Sequence, residues 1–180
     1  MNLKELVQAV SDWAEARNLI KGSDPKTQTL KTVSEFGEVA EGVSNENRAM
    51  IIDGVGDTIV TCIIAGKQMG FDLYDAIKGP AAETDSAGQD VFAVIDAADV
   101  LGKMCDNVIK GQTDKYIANF GQFCNLLSSI AVQYDATIHD CLQDAYDEIK
   151  DRRGVMYHGA FVKDSDPRFD SAVAELKLEA

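Results

Sequence analysis

Apolar residues recur at helical spacing along nearly the whole chain. Leu3, Leu6, Val7, Val10, Trp13 and Ala14 lay one apolar stripe along a predicted helix from about Asn2 to Asn18, with Trp13 in the core. Lys21-Gly22-Ser23-Asp24-Pro25 interrupts the pattern, and Ser23 or Asp24 can cap a second helix whose first position is Pro25. A short break at Ser44–Asn47 precedes a third helix, from about Glu46 to Met69. Ile51, Ile52, Val55, Ile59, Val60, Cys62, Ile63 and Ile64 make it apolar over most of its circumference, so it belongs at the centre of a bundle. Gly70 stops it, Asp72 can cap the short DLYDAIKG segment, and GPAAETDSAGQD reads as a linker. Beyond the linker, Val91–Ile109, Asp114–Tyr134 and Thr137–Arg152 are predicted helices. The tail GVMYHGAFVKDSDPRF is turn-rich and predicts a loop or a small hairpin. The fold class expected is all-α, a helical bundle.

The pattern also repeats. Moving the register by 65 residues sets Gly37 on Gly102, Val43 on Val108, Ile52 on Ile117, Gly56 on Gly121, Gln68 on Gln133 and Asp75 on Asp140. Neither half can bury its apolar faces alone, so the two should pack on each other as an intramolecular pseudo-dimer. The division expected is residues 1–79 for the first half, 80–154 for the second and 155–180 for a tail packed on the bundle.

Composition narrows the partners. With a formal charge of −13 and a pI near 4.4, a polymeric nucleic-acid surface is not expected, because phosphate contacts need clustered Lys and Arg. An anionic small molecule remains possible if a metal and a few local cations offset the field. Cys62, Cys105, Cys124 and Cys141 stand apart without a CxxC pair, as expected of reduced core residues. No apolar run is judged to approach the roughly 20 residues of a membrane span, and a cytoplasmic protein without a membrane partner is expected.

The candidate chemistry lies between Lys31 and Asp57. Glu35, Glu38 and Glu41 fall three apart on the second helix, and Asp53 and Asp57 four apart on the third. Antiparallel packing would bring the stripes together, and carboxylates that converge call for a hard divalent cation such as Mg²⁺. The plainer alternative is two solvated acidic faces. Gly37 and Gly56 flank the acids inside otherwise strong helices, where each costs about 1 kcal/mol relative to Ala. They predict a close approach of the two helix backbones. Gln28 and Lys31 precede Glu35 by whole turns and can face the same cleft. Under the 65-residue shift only Glu41 keeps a carboxylate, at Asp106; Glu35, Glu38, Asp53 and Asp57 meet Val100, Lys103, Ala118 and Gln122. The second half keeps the scaffold and supplies a wall.

LKTVSEFGEVAEG and IIDGVGDTIV resemble the two acidic motifs of the MazG-like, all-α nucleoside triphosphate pyrophosphohydrolases, whose pattern is a Glu pair followed by ExxE and then ExxD. CLQDAYDEIKDRRGVMYHGAFVK is similar to the end of shorter, phage-type members. The resemblance implies hydrolysis of a (deoxy)nucleoside triphosphate to the monophosphate and pyrophosphate, with Mg²⁺ or Mn²⁺ as cofactor. It makes Glu35, Glu38 and Asp57 metal ligands, joined by Asp53. Gly54 stands where ExxD has its glutamate, and Ser34 replaces the first Glu of the leading pair. Lys150, Arg152 and Arg153 become candidates for the triphosphate, beside Gln28 and Lys31. Glu35 and Glu41 are both candidate bases, and Glu38 belongs to the same catalytic group. A homodimer of pseudo-dimers is the expected assembly, and a non-catalytic helical scaffold or nucleotide-binding protein is the alternative.

Overall fold

The computed structural model describes residues 1–77 and 90–177. It is an all-α bundle, with one two-stranded hairpin among the described residues. Helix α1 (Leu3–Ala16) starts at a capping box in which Asn2 and Glu5 satisfy each other's backbone N–H. It ends close to the predicted boundary, at Asn18 with φ 58°, and a single turn α2 (Leu19–Gly22) that was not expected follows. Asp24, rather than Ser23, caps α3 (Pro25–Ser44) by accepting from the N–H groups of Lys26 and Thr27. Helix α4 (Arg48–Gln68) starts later than predicted, because Glu46 takes a left-handed turn position and Asn47 becomes the cap.

After α5 (Tyr74–Ile77) come α6 (Asp90–Lys110), α7 (Thr113–Gln133) and α8 (Ile138–Ile149). The predicted linker falls mostly outside the described residues, as does the boundary at 79–80. The tail forms antiparallel strands β1 (Gly154–Tyr157) and β2 (Ala160–Lys163), with Val155 opposite Val162. A last helix, α9 (Phe169–Leu176), packs on this hairpin and was not expected from the sequence.

The 65-residue shift carries α3–α4–α5 onto α6–α7–α8 at the level of individual hydrogen bonds. The turn after α3 is closed by Asn47 N–H donating to Gly42 O at 2.8 Å; the turn after α6 is closed by Gln112 N–H donating to Asn107 O at 2.8 Å. Glu46 and Gly111 hold the matching left-handed position, with φ 53° and 64°. Helices α4 and α7 end alike as well. Phe71 N–H donates to Gly66 O and Ala136 N–H to Ala131 O, around Gly70 and Asp135 at φ 88° and 52°. Asp72 then caps α5, and its counterpart Thr137 caps α8.

Packing between the two sets is reciprocal: α3 lies against α6, α4 against α8, and α7 against α5. The hairpins therefore meet as an intramolecular pair, and Phe36 of α3 joins Phe123 of α7 at 5.4 Å between ring centroids. Helix α4 is the hub, touching α1, α2, α3, α7 and α8. By length and mean hydropathy (1.6 over its best 18 residues) it is long and apolar enough to cross a membrane, which corrects the sequence expectation. In this fold 78% of that window is buried by the other helices. All four cysteines are free thiols, and burial pushes Cys62 up to about 12.

Candidate acidic cavity between the helices

Helices α3 and α4 are held close by glycines, though not the pair the sequence pointed to. A Cβ on Gly42 would meet Ile51 Cγ1 at 2.8 Å, and one on Gly54 would meet the Val39 N and Cγ2 at 3.0 Å. Gly37 faces open space. Gly56 serves another contact, since its Cβ would lie 2.3 Å from the Cys141 carbonyl oxygen of α8. The position that carries the ExxD glutamate in the resembling family is thus a point of backbone contact here. No long side chain fits at Gly54.

Close approach of α3 and α4, together with α8 on the other side of α4, groups four carboxylates. Asp53 and Asp57 lie about 40° apart on α4. Burial pushes the Asp53 carboxyl up, and Glu148 and Glu35 add to the effect. Asp57 is pushed up to about 6, first by burial and then by Asp53, Glu35 and Glu148, against the opposing pull of Arg152. Its proton is therefore held into the range where proteins work.

Glu35 and Asp57 open into one cavity of about 410 Å³. Lys31 and Arg152 line it as well, and Lys31 pairs with Glu35 at 3.2 Å. The rest of the wall is mostly apolar, including Leu19, Val60, Ile64, Ile149 and Phe161. The wall also includes Trp13, 8% exposed, and Gln28, 6% exposed. The Gln28 carboxamide makes no hydrogen bond among the described residues, so a nearly buried donor and acceptor are left for a ligand.

The other sequence candidates lie elsewhere. Three residues turn a helix by about 300°, which moves Glu38 about 60° and Glu41 about 120° from Glu35. Both are exposed and neither lines the cavity; Asp53 and the exposed Glu148 do not line it either and join the group through their effect on Asp57. Lys150 is exposed and bound to Asp147 at 2.5 Å, while Arg153 reaches toward Asp164 at 4.0 Å; of the three basic candidates only Arg152 faces the cavity. Glu148 escaped the sequence analysis. It lies one turn before Arg152 inside the DAYDEIKDRRG stretch, and that spacing was the available signal. Thr61, 7% exposed on the cavity wall, carried no signal at all.

Among the described residues no three His, Cys, Asp or Glu side chains close around one point as placed. The chemistry of the donors still fits a hard divalent cation. They are carboxylates from three helices, Lys31 pairs with only one of them, and Asp57 is raised first by burial and then by its acidic neighbours.

The chain is 28% identical over 159 residues to an uncharacterized 18.2 kDa protein from the rep–hol intergenic region of Haemophilus phage HP1, covering 80% of this chain and 98% of that protein. No protein-family model matches the chain, and no solved structure does.

Proposed function

We propose that the protein hydrolyses a (deoxy)nucleoside triphosphate to the monophosphate and pyrophosphate, with Mg²⁺ or Mn²⁺. The observation that carries this reading is the mixed lining of one cavity. Acidic Glu35 and Asp57 and basic Lys31 and Arg152 share its wall with mostly apolar residues and one unpartnered carboxamide. Such a lining suits a ligand that has both a charged chain and a planar polar ring. The resemblance to the MazG-like pyrophosphohydrolases, carried by the two acidic motifs and the tail, supplies the reaction class.

Glu35, Asp53 and Asp57, joined by Glu148, would hold the metal. When bound, a divalent ion neutralises phosphate oxygens and lowers the pKa of coordinated water. Lys31 and Arg152 offset charge on the pyrophosphate side. Glu35 is the base this geometry favours over Glu41, because it reaches the cavity and Glu41 does not. Gln28 offers its amide to the polar edge of the base, and Trp13 packs on the apolar side of the same space.

The test is product analysis with a panel of canonical and modified nucleoside triphosphates, with and without Mg²⁺. Monophosphate and pyrophosphate, dependent on the metal and lost in Asp57→Asn, are expected. Glu38→Gln separates the two supports of the reading: the cavity geometry predicts retained activity, whereas the motif resemblance predicts loss. Absence of turnover for every nucleotide would leave a helical scaffold.

A further inference from the structure

We infer that Arg17 is a positioning residue that sets both Arg152 and Trp13 in the wall of the cavity, an inference that rests on the nucleotide reading above. Arg17 is the C-cap of α1 and reaches across to the end of α8. Its Nε donates to Arg152 O at 2.7 Å and its Nη2 to Lys150 O at 3.3 Å. The last carbonyls of a helix lack intrahelical partners, and a guanidinium with its charge and fork of donors suits them in two ways. Arg17 therefore closes α8 from outside.

The same side chain lies over the Trp13 ring, with its central carbon 4.8 Å from the ring centroid. One planar group thus touches the element that carries Arg152 and the aromatic wall of the cavity. The backbone beside it completes the joint. Met156 N–H donates to Arg17 O at 2.8 Å, and Asn18 Nδ2 donates to Met156 O at 2.9 Å. Met156 also lines the cavity. A Cβ on Gly22 would sit 2.6 Å from Asn18 Nδ2 and 2.9 Å from Met156 O, so the joint has no room for a larger residue there.

None of these bonds needs the arginine side chain to touch substrate. Arg17 acts through Arg152, whose direction into the cavity depends on where the chain leaves α8. Lysine at position 17 keeps the charge but cannot donate to two carbonyls while lying flat on the indole.

Trp13 is the only tryptophan and reports directly on the cavity. The experiment titrates its fluorescence with the four α,β-imido deoxynucleoside triphosphates and Mg²⁺ in wild type, Arg17→Lys, Arg152→Met and the double variant. Hydrogen exchange at the Met156 amide and thermal melting run in parallel. Expected are a Kd raised about tenfold in each single variant and no further rise in the double, because both changes remove the same contact. Arg17→Lys should melt near wild type. Equal Kd values for wild type and Arg17→Lys, or effects that multiply in the double variant, would overturn the inference and leave Arg17 a helix cap only. No response from wild type to any of the four would overturn the nucleotide reading itself, and this inference with it.

Discussion

The α3–α4 and α6–α7 hairpins share turns, caps and terminal hydrogen bonds, yet they meet across opposite kinds of contact. In the first, Gly42 and Gly54 let the helix backbones approach. In the second, the same positions are Asn107 and Asn119, and Asn119 Nδ2 donates to Asn107 Oδ1 at 2.7 Å. Asn107 also donates to Gln112, so the pair holds α6 and α7 by side-chain bonds. A groove of about 570 Å³ opens along that side, rimmed by Lys103, Lys110 and Lys115. Turn chemistry thus sets the hairpin, while the residues facing inward set how tightly it closes. The acids follow the same division. Where Asp57 is crowded by carboxylates from three helices, its counterpart is Gln122, which carries no charge.

The sharpest way to break the comparison is at the matched glycine pair Gly56 and Gly121. Gly56→Ala drives a Cβ into the Cys141 carbonyl and should destabilise by about 3 kcal/mol, whereas Gly121→Ala, whose Cβ meets only Ala76 O at 4.0 Å, should stabilise by up to about 1 kcal/mol. Chemical denaturation of the two variants measures both. Asp57→Asn should lower the proposed pyrophosphohydrolase activity about 100-fold, and Gln122→Glu should leave it unchanged, as read by pyrophosphate release. Asn107→Ala strands the amides of Asn119 and Gln112 and should cost about 1 to 2 kcal/mol in denaturant unfolding.

The pH dependence is smaller and separates the halves electrostatically. Asp57 is raised from 3.8 to about 6 in the folded protein, so the folded state binds its proton more tightly than the unfolded chain does. Stability of the metal-free protein therefore falls as pH rises from about 4 to about 6, and this contribution is level above that window. Thermal melts of Asp57→Asn should lose this slope. A bound divalent cation favours the ionised form, so its stabilisation should be larger at neutral pH than at pH 5.

The helices were legible because their signals are local. Asp24 before Pro25 and the Ile-rich run of α4 identified those elements from residues one or two turns apart, and the repeat register emerged from the same periodicity. The single turn α2 after Asn18 and the α9 helix were not legible, because each depends on contacts from another part of the chain. Asn18 is held by Met156, and α9 packs on the β1–β2 hairpin. The site was legible in its residue types and only in part in its membership. Spacing put Glu35, Glu38 and Glu41 on one stripe, but a stripe does not say which edge faces the neighbouring helix. Docking of α4 and α8 turned Glu35 inward and left the others exposed.

By itself the sequence determined an all-α chain, the 65-residue repeat of its hairpins and the concentration of carboxylates between Glu35 and Asp57, since all three are written in spacings of a few residues or in composition. Only the tertiary structure decided that Gly54 is a contact, that Glu148 and Arg152 meet acids some 90 residues earlier in the chain, and that Gln28 is buried without a partner. Those outcomes depend on the depth and angle at which distant helices dock, and that geometry is set by packing of the whole core rather than by any one segment.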